Sequence, residues 1–96
     1  MKITYSNLAK INLINIKLYI KQDSVLRANS FINKLKQQVH DIPNFPYKFR
    51  KSDYYNDEDI RDMIFHGYTI IYRINKHKNI IEILEIFNQN LPQVEE

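Results

Sequence analysis

The side chains able to do chemistry in this 96-residue chain are arginines, lysines and tyrosines, and the informative ones cluster in its second half. Arg61 and Arg73 stand in two stretches of alternating polarity, Tyr68 and Tyr72 precede Arg73 on the same strand, and Lys48 and Arg50 lie upstream in PYKFRK. Guanidinium groups grip phosphates and carboxylates, and tyrosine rings stack on bases, so this set suits an anionic partner. A peptide segment received by the same surface is a second reading. A third is structural, with Arg61 and Arg73 pairing across strands to Asp62, Glu82 or Glu85. The sequence holds no glycine-rich phosphate loop, nucleophile elbow or carboxylate–histidine motif. With no cysteine, a disulfide scaffold and a thiolate zinc site are excluded. His40, His66 and His77 lie far apart at no metal-ligand spacing, so no metal or cofactor is expected.

Those residues need elements to position them. MKITYS alternates as a short strand with Ile3 and Tyr5 on one side. Asn7, or Ser6 before it, suits a helix N-cap, and the spacing predicts a first helix from about Leu8 to Lys21. At about 100° per residue, Ala9, Leu13, Ile16 and Ile20 form one stripe, and Ile11, Ile14 and Leu18 form a second almost opposite. Lys10, Lys17 and Lys21 occupy a third sector. Two apolar stripes mean that this helix is packed between elements, or that one stripe awaits a partner. Asp23 and Ser24 cap a second helix from Val25 to about Ile42, whose apolar residues Val25, Ala28, Phe31, Ile32, Leu35, Val39 and Ile42 share a face. Pro43 and Pro46 stop it, and the short connection makes the two helices an antiparallel hairpin.

The period then changes from helical to alternating. Tyr47 to about Tyr54 is a candidate strand, NDED a turn, and Ile60 to Phe65 a strand. His66-Gly67 is a tight hairpin turn carrying the chain's single glycine. Tyr68 to Ile74 is a strand rich in β-branched and aromatic residues, NKHKN turns again, and Ile80 to Phe87 closes the pattern. The expected fold is α+β: an N-terminal strand, then a helical hairpin packed on one face of a three- to four-stranded antiparallel sheet. Helices on one face leave the other open, and there Arg50, Arg61 and Arg73 are expected to converge with Lys48.

Length allows one domain, assigned to residues 1–90, with a polar tail over 91–96. Apolar residues make up 44% and charged residues 26%, which argues against disorder. Net charge is +3 but unevenly spread: residues 1–51 carry ten Lys/Arg against two acids (+8), and residues 52–96 carry four against nine (−5). That asymmetry suits an acidic partner near the first half, or lysine-solubilised helix surfaces. No segment reaches the roughly 20 apolar residues of a membrane helix, and the first ten residues lack a signal-peptide pattern. The expected location is the cytoplasm, with no membrane partner.

The string IRDMIFHGYTIIYRI, followed by a turn and IIEILEIFNQN, resembles the closing hairpins of the bacterial RelE/ParE toxin superfamily. Upstream, LAKINLINIKLYI, the Ala28–Phe31–Leu35 helix and the basic PYKFRK agree, so the resemblance spans about residues 3 to 90. The run Arg–Asp, then Gly–Tyr, then Ile–Ile–Tyr–Arg–Ile looks more like the ParE branch. The resemblance implies a toxin of a type II toxin–antitoxin module, neutralised by a cognate antitoxin. ParE-like toxins poison DNA gyrase, whereas RelE-like toxins cut mRNA on the ribosome with basic residues and a C-terminal Tyr or His. As a nuclease, this chain would use Arg61, Arg73 and Lys48. As a binder, it would meet its target through Arg50, Arg61, Arg73, Tyr68 and Tyr72. The chain departs from the nuclease pattern twice: Thr69 stands where many members carry Arg, and Phe87 and Asn88 stand where a catalytic His or Tyr is usual. Phenylalanine cannot move a proton, which favours inhibition by binding over RNA cleavage. A degenerate member that binds antitoxin without toxicity is a further alternative. The antitoxin is expected on the Ile11/Ile14/Leu18 stripe or on the open β face.

Overall fold

The computed structural model describes residues 1–88 and orders them as β1 (Lys2–Tyr5), α1 (Asn7–Lys21), α2 (Val25–Asp41), β2 (Arg50–Lys51), β3 (Ile60–Phe65), β4 (Tyr68–Asn75) and β5 (Ile80–Asn88). A single 3-10 turn, Ile42–Asn44, follows α2. The tail expected over residues 91–96 lies outside the described residues.

Both helices begin where a hydroxyl can hold an unsatisfied backbone amide. Ser6 Oγ accepts from Ala9 N at 3.0 Å, and Ser24 Oγ accepts from Arg27 N at 3.2 Å. Of the two cap residues expected for α1, Ser6 is the one used. The turn at His66-Gly67 has φ of 47° and 82°, the two consecutive positive angles of a tight hairpin turn, and only Gly67 takes its angle without steric cost.

The sheet has five strands in the order β1-β5-β4-β3-β2. It is mixed, not purely antiparallel: β1 runs parallel to β5, pairing Ile3 with Ile81 and Tyr5 with Ile83. The expected count of three to four strands missed that the N-terminal strand returns beside the last one. The expected strand over Tyr47–Tyr54 shrinks to Arg50–Lys51. Beyond it the backbone amides bond to side chains, Asp53 N to the Asp62 carboxylate on β3 and Tyr54 N to Ser52 Oγ, which takes the chain off the strand path.

The helical hairpin covers one sheet face. Ala9 and Ile16 of α1 and Ile32, Leu35 and Val39 of α2 pack against Met63, Ile70, Tyr72, Ile74, Ile81, Ile83 and Ile86. The Ala9/Leu13/Ile16/Ile20 stripe is therefore the inward side of α1, with Leu13 and Ile20 partly buried against the same core. Past Tyr5 the chain leaves the sheet, and the outer edge of β5 is closed by side chains. Ser6 Oγ donates to Leu84 O at 2.7 Å, and Asn12 Oδ1 accepts from Ile86 N at 3.0 Å.

Ser6 thus serves a helix start and a strand edge with one hydroxyl. Ser6→Ala removes both bonds and should lower stability by about 1–2 kcal/mol, measured by urea unfolding, with the fold retained.

Candidate functional site

Register assigns each candidate residue to a face, because paired strand residues point the same way. Arg61 opposes Tyr72 and Met63 opposes Ile70, which places Arg61 on the helix side of the sheet. Arg50 opposes Asp62, which opposes Ile71, and Arg73 opposes Ile60 and Glu82; these lie on the other side. Arg50 and Arg73 share a face as expected, but Arg61 does not join them. One residue of strand separates the two placements, since alternate side chains point to opposite faces.

Arg61 is committed to the fold. Its guanidinium donates to Glu58 O at 2.9 Å, Phe49 O at 3.1 Å and Glu58 Oε2 at 3.3 Å, and it lies 4.9 Å from the Tyr47 ring centre. Tyr47 donates to Asp59 Oδ1 at 2.6 Å, and Lys76 lies 5.4 Å from the same ring and 3.7 Å from Asp59. The Tyr47 contact and the Asp59 charge raise the Lys76 pKa above the usual lysine value. This Tyr47–Asp59–Arg61–Lys76 cluster ties the segment after α2 to the start of β3 and to the β4–β5 turn. Sequence reading missed it. Tyr47 directly after Pro46 was the available signal, but nothing local pairs it with residues 12 and 29 positions away. Lys48 is exposed in this segment, its ammonium 5.5 Å from the Phe49 ring.

Tyr68 and Tyr72 face the core, not a ligand. Tyr72 is 0% exposed, and its hydroxyl donates to Pro46 O. Burial pushes its pKa well above the ordinary tyrosine value, offset in part by Arg61 and reinforced by Asp62 and Tyr47. Tyr68 is buried against Phe31, ring centres 5.3 Å apart. Neither ring can stack on a base, which corrects the expected assignment.

The face turned from the helices is not open along its length. Asp53 N bonds to Asp62, and the Tyr54 ring meets Phe87 of β5 edge-on at 5.2 Å, so the segment after β2 crosses over this face. Ile60, Asp62, Thr69 and Ile71 are buried there. Asp62 is held by Arg50 at 3.5 Å, while its Oδ1 and the Thr69 hydroxyl have no partner among the described residues. Arg50 also reaches Asp53 at 3.2 Å, and Arg73 reaches Glu82 at 4.0 Å. Asp62 was expected to pair with Arg61 or Arg73, and its partner is Arg50 instead. The side chains of Arg50 and Arg73 remain nearly half exposed, so this face presents two accessible arginines around a covered centre.

On the outer side of α1, Ile11, Ile14 and Leu18 are 53%, 59% and 54% exposed. Of the two readings of that stripe, packed between elements or unpartnered, the structure gives the second. No group of three metal-binding side chains occurs among the described residues, and none of their helices is long and apolar enough to cross a membrane.

A helical hairpin on one face of a mixed five-stranded sheet, with β1 parallel to the final strand, defines the class to which comparison points. A chromosomal ParDE toxin–antitoxin system from P. aeruginosa superposes with a TM-score of 0.72 at 15% identity, covering 92% of this chain and 95% of the other. A mutant of the E. coli toxin RelE, solved with an antitoxin RelBc peptide, gives 0.63 at 14% identity, covering 94% and 84%. No curated protein matches by sequence. A family profile described as "ParE toxin of type II toxin-antitoxin system, parDE" matches residues 3–90, and the chain belongs to that family.

The Tyr72 hydroxyl yields a pH test. Its pKa is raised on folding, so its contribution is complete below the unfolded tyrosine value of about 10 and is lost as pH climbs beyond it. Tyr72→Phe should cost about 1–3 kcal/mol at pH 7 by leaving the Pro46 carbonyl unpaired. Stability measured from pH 8 to 11 should also fall less steeply in the variant, with Tyr5 supplying part of the remaining slope, since burial raises its pKa too.

Proposed function

We propose that this chain is a toxin that inhibits DNA gyrase by binding, without cutting nucleic acid, and is neutralised by a cognate antitoxin. Family membership supports the toxin role. The observation that carries the choice of mechanism is the state of the two positions where the nuclease pattern has functional groups. Thr69 is wholly buried, and Phe87 is packed against Tyr54 at the end of the last strand. Neither can exchange a proton with an RNA 2′-hydroxyl or a leaving oxygen. The arginines left accessible, Arg50 and Arg73, can grip carboxylate or phosphate, which suits an inhibitor acting through contact. Exposed Lys48 extends the cationic side chains available to the target.

The antitoxin takes the other side of the molecule, against Ile11, Ile14 and Leu18. An exposed apolar row of this kind is an interaction surface, and the basic first half favours an acidic partner.

Purified protein at micromolar concentration should block supercoiling by gyrase, and Arg73→Ala should weaken that block by about tenfold, the usual scale of an interface arginine. Folded protein without effect on gyrase, combined with new mRNA 5′ ends after induction in cells, would replace this reading with ribosomal cleavage. Ile14→Glu should weaken the complex with the protein encoded by the adjoining reading frame at least tenfold, while circular dichroism and the unfolding midpoint stay near those of the parent.

A further inference from the structure

We infer that the outer side of α1 is a seam for one helix of a partner, and that this helix carries acidic residues along one flank only. The identity of the partner rests on the antitoxin reading above; the chemistry of the seam does not.

Ile11, Ile14 and Leu18 are spaced by three and four, the a-d-a positions of a heptad, and all three are more than half exposed. Lys10 and Lys17 each precede an a residue and so occupy g positions; Lys21, three residues after Leu18, takes the next d position and ends the apolar row with a cation. The e positions on the other flank are Leu8 and Asn15, both uncharged and exposed. The seam is therefore bordered by cations on one side and neutral groups on the other. All three lysines are exposed, and no described carboxylate lies within ion-pairing distance of them. The nearest acid in sequence, Asp23, is engaged by Arg27 at 3.6 Å.

Charges at e and g select the partner of a helix seam and its direction. A second copy of α1 fits poorly. Packed antiparallel, its g lysines face the g lysines of the first copy, and packed parallel they face Leu8 and Asn15, so no arrangement satisfies them. A bilayer is flat and bears charge on both sides of any helix lying on it, which leaves the neutral flank without complement. A helix with an apolar a/d row and glutamates or aspartates on a single flank satisfies the whole surface: at e when parallel to α1, at g when antiparallel. Opposite charge at these positions also speeds encounter, and that part of the affinity falls with salt.

The test uses the whole protein and two synthetic helical peptides of equal composition, each with an isoleucine/leucine a/d row. One carries glutamates at g and glutamines at e and f, and the other carries the same glutamates at the outward f positions with glutamines at g and e, so that in neither direction can its acids reach the lysines. Binding is measured by fluorescence anisotropy at low and high salt. The peptide with the acidic flank should bind at least tenfold tighter at 50 mM salt, and the gap should close at 500 mM. The triple variant Lys10→Glu, Lys17→Glu, Lys21→Glu should erase the preference, and Ile14→Glu should abolish binding of both peptides. Circular dichroism checks that each variant is folded. Equal affinity for the two peptides, or a preference that survives the triple reversal, would overturn the inference. So would a dimer in sedimentation that Ile14→Glu dissolves, or tighter binding to vesicles of anionic phospholipid than to either peptide. If the peptides discriminate while the product of the adjoining reading frame fails to bind, the seam stands and the antitoxin reading falls.

Discussion

Strand β4 is hydrogen-bonded on both edges and covered on both faces, and the position of every other part follows from it. Tyr68, Ile70, Tyr72 and Ile74 point into the core beneath the helices, while Thr69 and Ile71 are buried on the other side. A strand buried twice over cannot slip, because moving its register by one residue would turn Arg73 towards the core and Tyr72 out of it. Its neighbours inherit that fixed register. Arg61 falls opposite Tyr72 and is drawn into a structural cluster, while Arg50 and Arg73 fall on the side facing away from the helices. Which cations can meet a partner is decided by the parity of one strand.

Much of this could be read from residue types. The helices, their serine caps, the glycine hairpin and the long strands announce themselves through local periodicity, and the inward stripe of α1 is the one starting at Ala9. Three features could not be read because they depend on residues distant in the chain. β1 looks like a free strand until Ile81 and Ile83 lie beside it. PYKFRKSDY alternates well enough to suggest a strand, yet Asp62 captures the Asp53 amide and ends the pairing. Tyr72 has the composition of a stacking residue, and only the Pro46 carbonyl shows that its hydroxyl is a tie within the core. The candidate site was legible as a set of residue types and not as a surface. Alternation sorts residues into two faces but is silent about what then crosses one of them.

The uneven charge of the chain becomes a division of the molecule into layers. The positive excess of residues 1–51 rests on β1, the two helices and the segment leading into β2, whereas the acids of the second half pair within the hairpins, Glu58 with Arg61 and Lys51, Glu82 with Arg73, Asp59 with Lys76. Cations that neutralise carboxylates near the sheet help hold its turns. Lysines on the outer helix surface have no such duty, so they can select an approaching molecule by charge. In the proposed function the two layers face different molecules.

The parallel pairing of β1 with β5 bears on how the chain comes into being. Ser6 and Asn12 close bonds to Leu84 and Ile86, which follow them by 78 and 74 residues. A growing chain has β1, both helices and the first hairpin in hand while the strand that joins them is still missing. Before β5 exists, β1 has no neighbour, and the inward stripe of α1 has only part of its floor. Native packing of β1 and α1 therefore waits for β5, because long-range closure must precede the reward of packing. A polypeptide without β5 leaves apolar helix residues lacking part of the sheet that covers them, the exposed surface on which proteases and aggregation act.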